Sequence, residues 1–315
     1  MATLRLATRG SPLALRQTAI VTELLRRAHP GLEIEPVVVR TRGDQDASTP
    51  LEQIGGQGVF VAEVEAALAA GRAEAAVHSA KDMPSTMAVQ FVLAAVPRRA
   101  DARDGLVGCT LAGLPPGGLV ATGSVRRRAQ LAHLRPDLVF TGLRGNMARR
   151  VEAAAGGGVS AVVVAVAAMH RLGWDDRLSD VLDPLDVLPQ AGQGAIAVQC
   201  RADDARTRRL LGAADHVPSH RAVRAERAVL AVLGGSCAVP VAAFAEPEGA
   251  ADPDGALQLT GLLASGDGRT VVRQSDRGED PEALGAAVAQ ALLEGGGAAI
   301  EGFAPEGPGG GGTLP

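Results

Sequence analysis

Apolar residues along the chain follow two rhythms. Short apolar runs at residues 4–7, 34–41, 75–78 and 91–96 read as strands. Between them lie longer Ala/Leu-rich stretches, at residues 12–27 and 59–70, with the three-to-four-residue spacing of amphipathic helices. Ser11 stands where the first helix begins and predicts its N-cap, with Pro12 in the first turn behind it. A second unit opens near Asp104 and repeats the alternation. Residues 119–122 and 138–141 predict strands, residues 124–133 and 147–155 helices, and residues 159–166 a wholly apolar strand. Alternating strand and helix in this manner predicts α/β units with largely parallel sheets.

The run Leu188-Pro189-Gln190-Ala191-Gly192-Gln193-Gly194 breaks the second unit, and residues 195–200 predict a strand that returns toward the first. Residues 219–233 predict an amphipathic helix. Strand-like segments at 239–245, 257–265 and 270–275 then lead to a last helix at 281–293, the pattern of a smaller unit with an antiparallel sheet. The expected division is residues 1–98 plus about 194–214, residues 99–193, and residues 215–302. The Gly/Pro-rich residues 303–315 are expected to be disordered.

In α/β sheets of this kind ligands sit beyond the carboxyl ends of the strands, at helix N-termini. The turns Ala7-Thr8-Arg9-Gly10-Ser11 and Ala121-Thr122-Gly123-Ser124, one in each unit, are of this sort and point to a cleft between the two.

Composition narrows the chemistry. Of 315 residues 46% are hydrophobic and 21% charged, a globular balance, but only 2% are aromatic and none is Tyr, so the core must be aliphatic. Few rings are available for recognition by stacking. The net charge of −4 disfavours a cationic nucleic-acid binder, while Arg126-Arg127-Arg128 and Arg149-Arg150 concentrate positive charge locally and suit an anionic small molecule. Three widely spaced cysteines, Cys109, Cys200 and Cys237, suggest neither a disulfide framework nor a zinc site, and the six histidines lack ligand spacing, so no metal is expected. The first residues read as strand, turn and helix rather than a secretory signal, and no run reaches the about 18 apolar residues of a membrane span. A cytoplasmic protein that binds neither membrane nor nucleic acid is expected.

Two segments carry sharper signals. Ala76-Val77-His78-Ser79-Ala80-Lys81-Asp82-Met83-Pro84 is an apolar strand delivering Ser, Lys and Asp to a turn closed by proline. Gly234-Gly235-Ser236-Cys237-Ala238-Val239-Pro240 places a thiol in a small-residue bend after a helix. Alone, the first reads as an ordinary strand-end turn and the second as a buried structural cysteine. The combination differs. With ATRGSPLAL, TRGD, GSVRRRAQL, LRGNMARRV, LPQAGQGAIAVQCR and AERAVL, in that order from about residue 4 to 300, the chain resembles the porphobilinogen deaminase (hydroxymethylbilane synthase) family.

That resemblance implies three domains, the first two like periplasmic-binding-protein lobes around a cleft and the third a small α/β domain. It implies a monomeric transferase that joins four porphobilinogen units head to tail into hydroxymethylbilane, releasing ammonia, as part of haem and tetrapyrrole synthesis. The growing chain is carried on a dipyrromethane cofactor linked by a thioether, and Cys237 matches the attachment position. Asp82 matches the catalytic aspartate, which stabilises the cation left by ammonia and shuttles protons. Pyrrole acetates and propionates call for arginine. Arg9, Ser11, Ser79, Lys81, Thr122, Ser124, Arg126, Arg127, Arg144, Arg150 and Arg171 match cofactor and substrate contacts, whereas Arg128 and Arg149 read as solvated.

The stretch Gln53-Ile54-Gly55-Gly56-Gln57-Gly58-Val59-Phe60 corresponds to a lid loop. Family members often carry lysines where this chain has Gln53 and Gln57, so weaker lid contacts with anionic substrate are expected. Gly234 and Ser236 also replace an acidic residue and a glycine common before the cysteine. The rival reading is a solute-binding receptor, which shares the two-lobe architecture. The unit bearing Cys237 and the absence of a signal stretch stand against it.

Overall fold

A computed structural model describes residues 3–41, 61–143, 145–234, 239–249 and 255–300. The lid-loop positions Gln53, Gly55, Gly56, Gln57, Gly58 and Phe60 lie outside these residues, as do Arg144, Cys237 and residues 303–315.

The first lobe begins with β1 (Thr3–Arg9), α1 (Pro12–Ala28), β2 (Glu33–Val39), α2 (Ala62–Ala69), β3 (Ala75–Ser79), a 3-10 turn (Ala80–Asp82) and β4 (Phe91–Ala95). The second contains β5 (Asp104–Val107), β6 (Leu119–Ala121), α3 (Val125–Leu134), β7 (Val139–Thr141), α4 (Met147–Ala155), β8 (Ala161–Ala165), α5 (Val166–Leu172) and β9 (Asp180–Val181). The chain then returns through β10 (Ile196–Arg201) and α6 (Ala205–Gly212). The third domain comprises α7 (Val217–Leu233), β11 (Val241–Pro247), β12 (Leu257–Ala264), β13 (Val271–Gly278) and α8 (Pro281–Glu294).

Each lobe is one five-stranded sheet, in the orders β2-β1-β3-β10-β4 and β7-β6-β8-β5-β9. In each, one strand runs against its neighbours. Strand β10 is antiparallel to both β3 and β4, and β5 is antiparallel to both β8 and β9. Both of these strands lead directly into or out of the other lobe, so the lobes are joined by two crossings, near residues 96–103 and 182–195.

Local sequence explains the helix starts. Ser11 Oγ accepts from Ala14 N at 3.3 Å and caps α1, while Ser124 Oγ accepts from Arg127 N at 3.4 Å and caps α3. Helix α1 buries Ala14, Gln17, Thr18, Val21 and Leu25, one stripe at helical spacing. The cores are aliphatic, as composition requires: Leu4, Leu6, Val21 and Leu25 fill one lobe, Leu106, Val120, Leu131 and Val163 the other. Removing a leucine from water contributes roughly 1.5–3 kcal/mol.

The apolar stretch predicted as one strand over 159–166 divides in the structure. The strand ends at Ala165, and Val166 opens α5. Val166, Ala167, Ala168 and Met169 are buried like the strand before them, so hydropathy alone carries no mark of the change.

The third domain is antiparallel, as expected. On β12, Leu257, Leu259 and Leu263 face α7 and α8, while Leu262 and Ala264 on the opposite face pack against Ala129 of α3 and Leu188. The turn after β12 is also seated on α3. Gly268 has φ +75°, and a Cβ there would lie 2.2 Å from the Ala129 carbonyl oxygen, so glycine alone permits the approach. No helix among the described residues is long and apolar enough to cross a membrane.

Candidate active site

The carboxyl ends of β1 and β3 in one lobe and of β6 and β8 in the other meet at the crossings. Arg9 ends β1, half-buried, and its charge reaches His78. Ser79 ends β3, and its hydroxyl accepts from Gln17 Nε2 at 2.7 Å. Lys81 and Asp82 follow in the 3-10 turn. Across the cleft, Thr122 Oγ1 accepts from Ser124 N at 3.2 Å, shaping the loop that delivers Arg126 and Arg127.

One amide takes a side chain from each lobe. Gln193, on the second crossing, is fully buried, and its Oε1 accepts from Lys81 Nζ at 3.3 Å and from Arg127 Nη2 at 3.4 Å. Its Nε2 donates to the Ala102 carbonyl at 2.7 Å and to Asp104 Oδ1 at 2.8 Å. Burial, and next the neighbouring Arg127, push the Lys81 ammonium down to about 8, against the attraction of Asp82 and Asp104.

Arg126 and Arg127 are buried, not spread on a helix face. Arg126 donates from Nη2 to Asp104 Oδ2 at 2.7 Å and from Nη1 to the Leu188 carbonyl at 2.6 Å. Arg127 donates to Asp104 Oδ1 from Nη2 at 2.6 Å and Nε at 3.0 Å, and from Nη1 to the Val163 carbonyl at 3.2 Å. Burial opposes ionisation of Asp104, yet the two guanidiniums and the Gln193 amide hold its carboxyl well below the usual carboxylate range. Arg128 and Arg149 are exposed, as anticipated.

Two further arginines border the cleft. Arg150 Nε donates to the Gly145 carbonyl at 3.0 Å, and its charge reaches Lys81. Arg171 Nη2 donates to the Gly194 carbonyl at 2.7 Å, and burial brings its guanidinium down to about 10. Between them Ser79, Lys81, Arg171 and Gly194 line a cavity of about 20 Å³, room for about one water molecule. Asp82 is half-buried, its charge reaches Lys81, and among the described residues no side chain donates a hydrogen bond to its carboxylate.

Three features here have no counterpart in the sequence reading. Asp104 served there only to mark a boundary. Gln193 belonged to a quoted motif but had no role. Arg99, on the first crossing, donates from Nη2 to Glu226 Oε2 at 3.2 Å and from Nε to the Gln193 carbonyl at 2.8 Å. Glu226, fully buried on α7, also accepts from Gly192 N at 2.6 Å and Ala245 N at 2.9 Å, fastening the third domain to both crossings. No local signal marks these residues, because their partners lie tens of residues away.

The donor set suits a ligand with several carboxylates. Lys81, Arg127, Arg150 and Arg171 converge, like charges are held together on one amide oxygen, and Arg126 Nε is buried with no hydrogen-bond partner among the described residues. A dipyrromethane, with its acetate and propionate groups, is of that chemical class.

Two α/β lobes joined by a double crossing, a cluster of cations where they meet and a third domain fastened to both crossings define the class of protein. A family model described as "Porphobilinogen deaminase, dipyromethane cofactor binding domain" matches residues 4–209, and "Porphobilinogen deaminase, C-terminal domain" matches residues 220–294. The porphobilinogen deaminase of Roseiflexus sp. (strain RS-1) is 47% identical over 303 residues, covering 95% of this chain and 98% of that one. That of Syntrophobacter fumaroxidans is 42% identical over 298 residues, 93% and 95% of the two chains. The chain belongs to the porphobilinogen deaminase family. It is thereby a transferase of tetrapyrrole synthesis with hydroxymethylbilane synthase activity. Among solved structures, the aliphatic sulphonate binding protein SsuA of Escherichia coli aligns with a TM-score of 0.39 and 16% identity, over 73% of this chain and 70% of that one.

Proposed function

We propose that this chain joins four porphobilinogen molecules head to tail on a dipyrromethane held by a thioether to Cys237, with Asp82 as the one acid–base group for every addition. The observation that carries the reading is the position of Asp82, directly after the half-buried Lys81, whose charge is felt by Asp82 and by Arg127 and Arg150 of the other lobe.

Each addition breaks the bond between the substrate's aminomethyl carbon and nitrogen and forms a carbon–carbon bond. It releases ammonia and one ring proton. Asp82 carries out the proton steps, giving a proton to the departing amine and taking one from the attacked ring carbon. Between those events its carboxylate faces the positive charge that develops on the substrate, where an anion in a partly water-excluded site is most effective. The dipyrromethane, when bound, supplies the pyrrole carbon to which the first unit is joined. Lys81, Arg126, Arg127, Arg144, Arg150 and Arg171, with Arg9, Ser11, Ser79, Thr122 and Ser124, hold the carboxylates of cofactor and substrate.

The working domain limits are residues 1–98 plus about 194–214, residues 99–193 and residues 215–302, in a cytoplasmic monomer whose residues 53–60 form the lid. Intact mass of the purified protein tests the tether. An excess equal to two linked pyrroles, lost in Cys237→Ala, is expected. A bare polypeptide that gains no mass with porphobilinogen would overturn it. Asp82→Asn should keep the excess mass and lose most turnover.

A further inference from the structure

Among the described residues, Asp104 is the one carboxylate that touches the Arg126–Arg127 pair. It begins β5, the strand that runs against its neighbours, and so stands at the same edge of the sheet as the carboxyl ends of β6 and β8. It is 0% exposed, and Arg126 and Arg127 are 4% and 5% exposed. Its two oxygens are divided between them: Oδ2 takes Arg126, and Oδ1 takes Arg127 and Gln193.

Arg126 and Arg127 are adjacent residues in the first turn of α3, where the helix dipole disfavours cations and where their charges repel each other. Burial adds a desolvation cost that an unpaired guanidinium escapes by extending into water. A structural ion pair would match one acid to one base. Here one carboxylate holds two guanidiniums with Lys81 close by, and the cluster keeps an excess of positive charge. A carboxylate at the floor of an anion site would be a poor choice unless its function were to hold the arginines in place.

We propose that Asp104 is a positioning residue for carboxylate recognition, fixing the Arg126 and Arg127 guanidiniums at the cleft floor. The inference rests on the reading above that these arginines bind carboxylates.

The test uses purified holoenzyme whose fold is verified by thermal unfolding and whose cofactor load is verified by mass. Asp104→Asn keeps the shape but turns an amide N–H₂ toward a guanidinium. With a hydrogen bond to a charged group lost, the KM for porphobilinogen should rise roughly tenfold or more while kcat changes less. Arg127→Lys, which keeps charge but not the fork, should raise KM as well. If Asp104→Asn is folded and loaded, lowers only the melting temperature and keeps the wild-type KM while Arg127→Lys raises it, Asp104 is merely structural and the inference fails. Wild-type KM in both Arg126→Lys and Arg127→Lys would refute the arginine reading itself. Should Asp104→Asn not fold, Asp104→Glu retains the charge and displaces it by one methylene. A raised KM is then expected, and a wild-type KM overturns the proposal.

Discussion

Lys81 of one lobe donates to the Gln193 side-chain oxygen at 3.3 Å, and Arg127 of the other lobe donates to that same oxygen at 3.4 Å. Two cations from opposite walls of the cleft thus share one neutral acceptor, a weak partner that a carboxylate can replace with a stronger one.

The Lys81 ammonium is poised near neutrality. Its pKa of about 8 lies below the ordinary 10.5, so the charge that attracts anions is present below pH 8 and is lost as pH rises through it. The kcat/KM for porphobilinogen, which reports the free enzyme, should fall over that range. Lys81→Arg, charged throughout, should remove this alkaline limb. Stability runs in the opposite sense, because the cost of desolvating the ammonium is relieved between pH 8 and 10.5.

Glu226 accepts four hydrogen bonds in a fully buried position, two of them from Arg99, which also lies over the Phe244 ring at 5.0 Å. Glu226→Ala leaves Nη1 and Nη2 of Arg99 and two backbone N–H groups without their acceptor. It should destabilise the protein by roughly 3–5 kcal/mol in urea unfolding.

His78 is held neutral. Burial is the main cause, and it lowers the imidazole to about 4, while Gln199 Oε1 lies 3.2 Å from Nε2. The unfolded chain takes up a proton near pH 6.5 that the folded one refuses, so stability is full above 6.5 and declines as pH falls toward 4. The loss approaches roughly 3 kcal/mol at acid pH. In His78→Gln the pH dependence of urea unfolding between 6.5 and 4 should be shallower than in wild type.

Gly268 and Gly31 separate steric contact from backbone strain. Both have positive φ, +75° and +86°, but only at Gly268 would a Cβ meet backbone, the Ala129 oxygen. Gly268→Ala should cost clearly more than Gly31→Ala, which carries conformational strain of about 1 kcal/mol. Differential scanning calorimetry of the two variants makes the comparison.

What could be read in advance follows the range of the interactions. Serine caps at Ser11 and Ser124 act within three residues, and both appear where the sequence places them. Helix α7 starts at Val217, before the expected residue 219, because His216 supplies the cap through Ser219 N. Helix α6 leaves no pattern in the sequence, since its short polar run Ala205–Gly212 buries only Thr207 and Leu211. Asp104 and Glu226 resist any linear reading. Their partners at Arg126, Arg127 and Arg99 come within reach only after β5 and the crossings have formed.

The position of β10 has a consequence for how the protein is made. This strand lies between β3 and β4, in the interior of the first lobe's sheet, yet it begins at Ile196, after the whole second lobe has been synthesised. A nascent chain emerging from the ribosome therefore carries β3 and β4 with their facing edges unpaired for about a hundred residues of elongation. The two lobes cannot mature in succession like beads. The first must wait for the second, and any truncation ahead of residue 196 should yield an aggregation-prone fragment rather than a smaller stable domain.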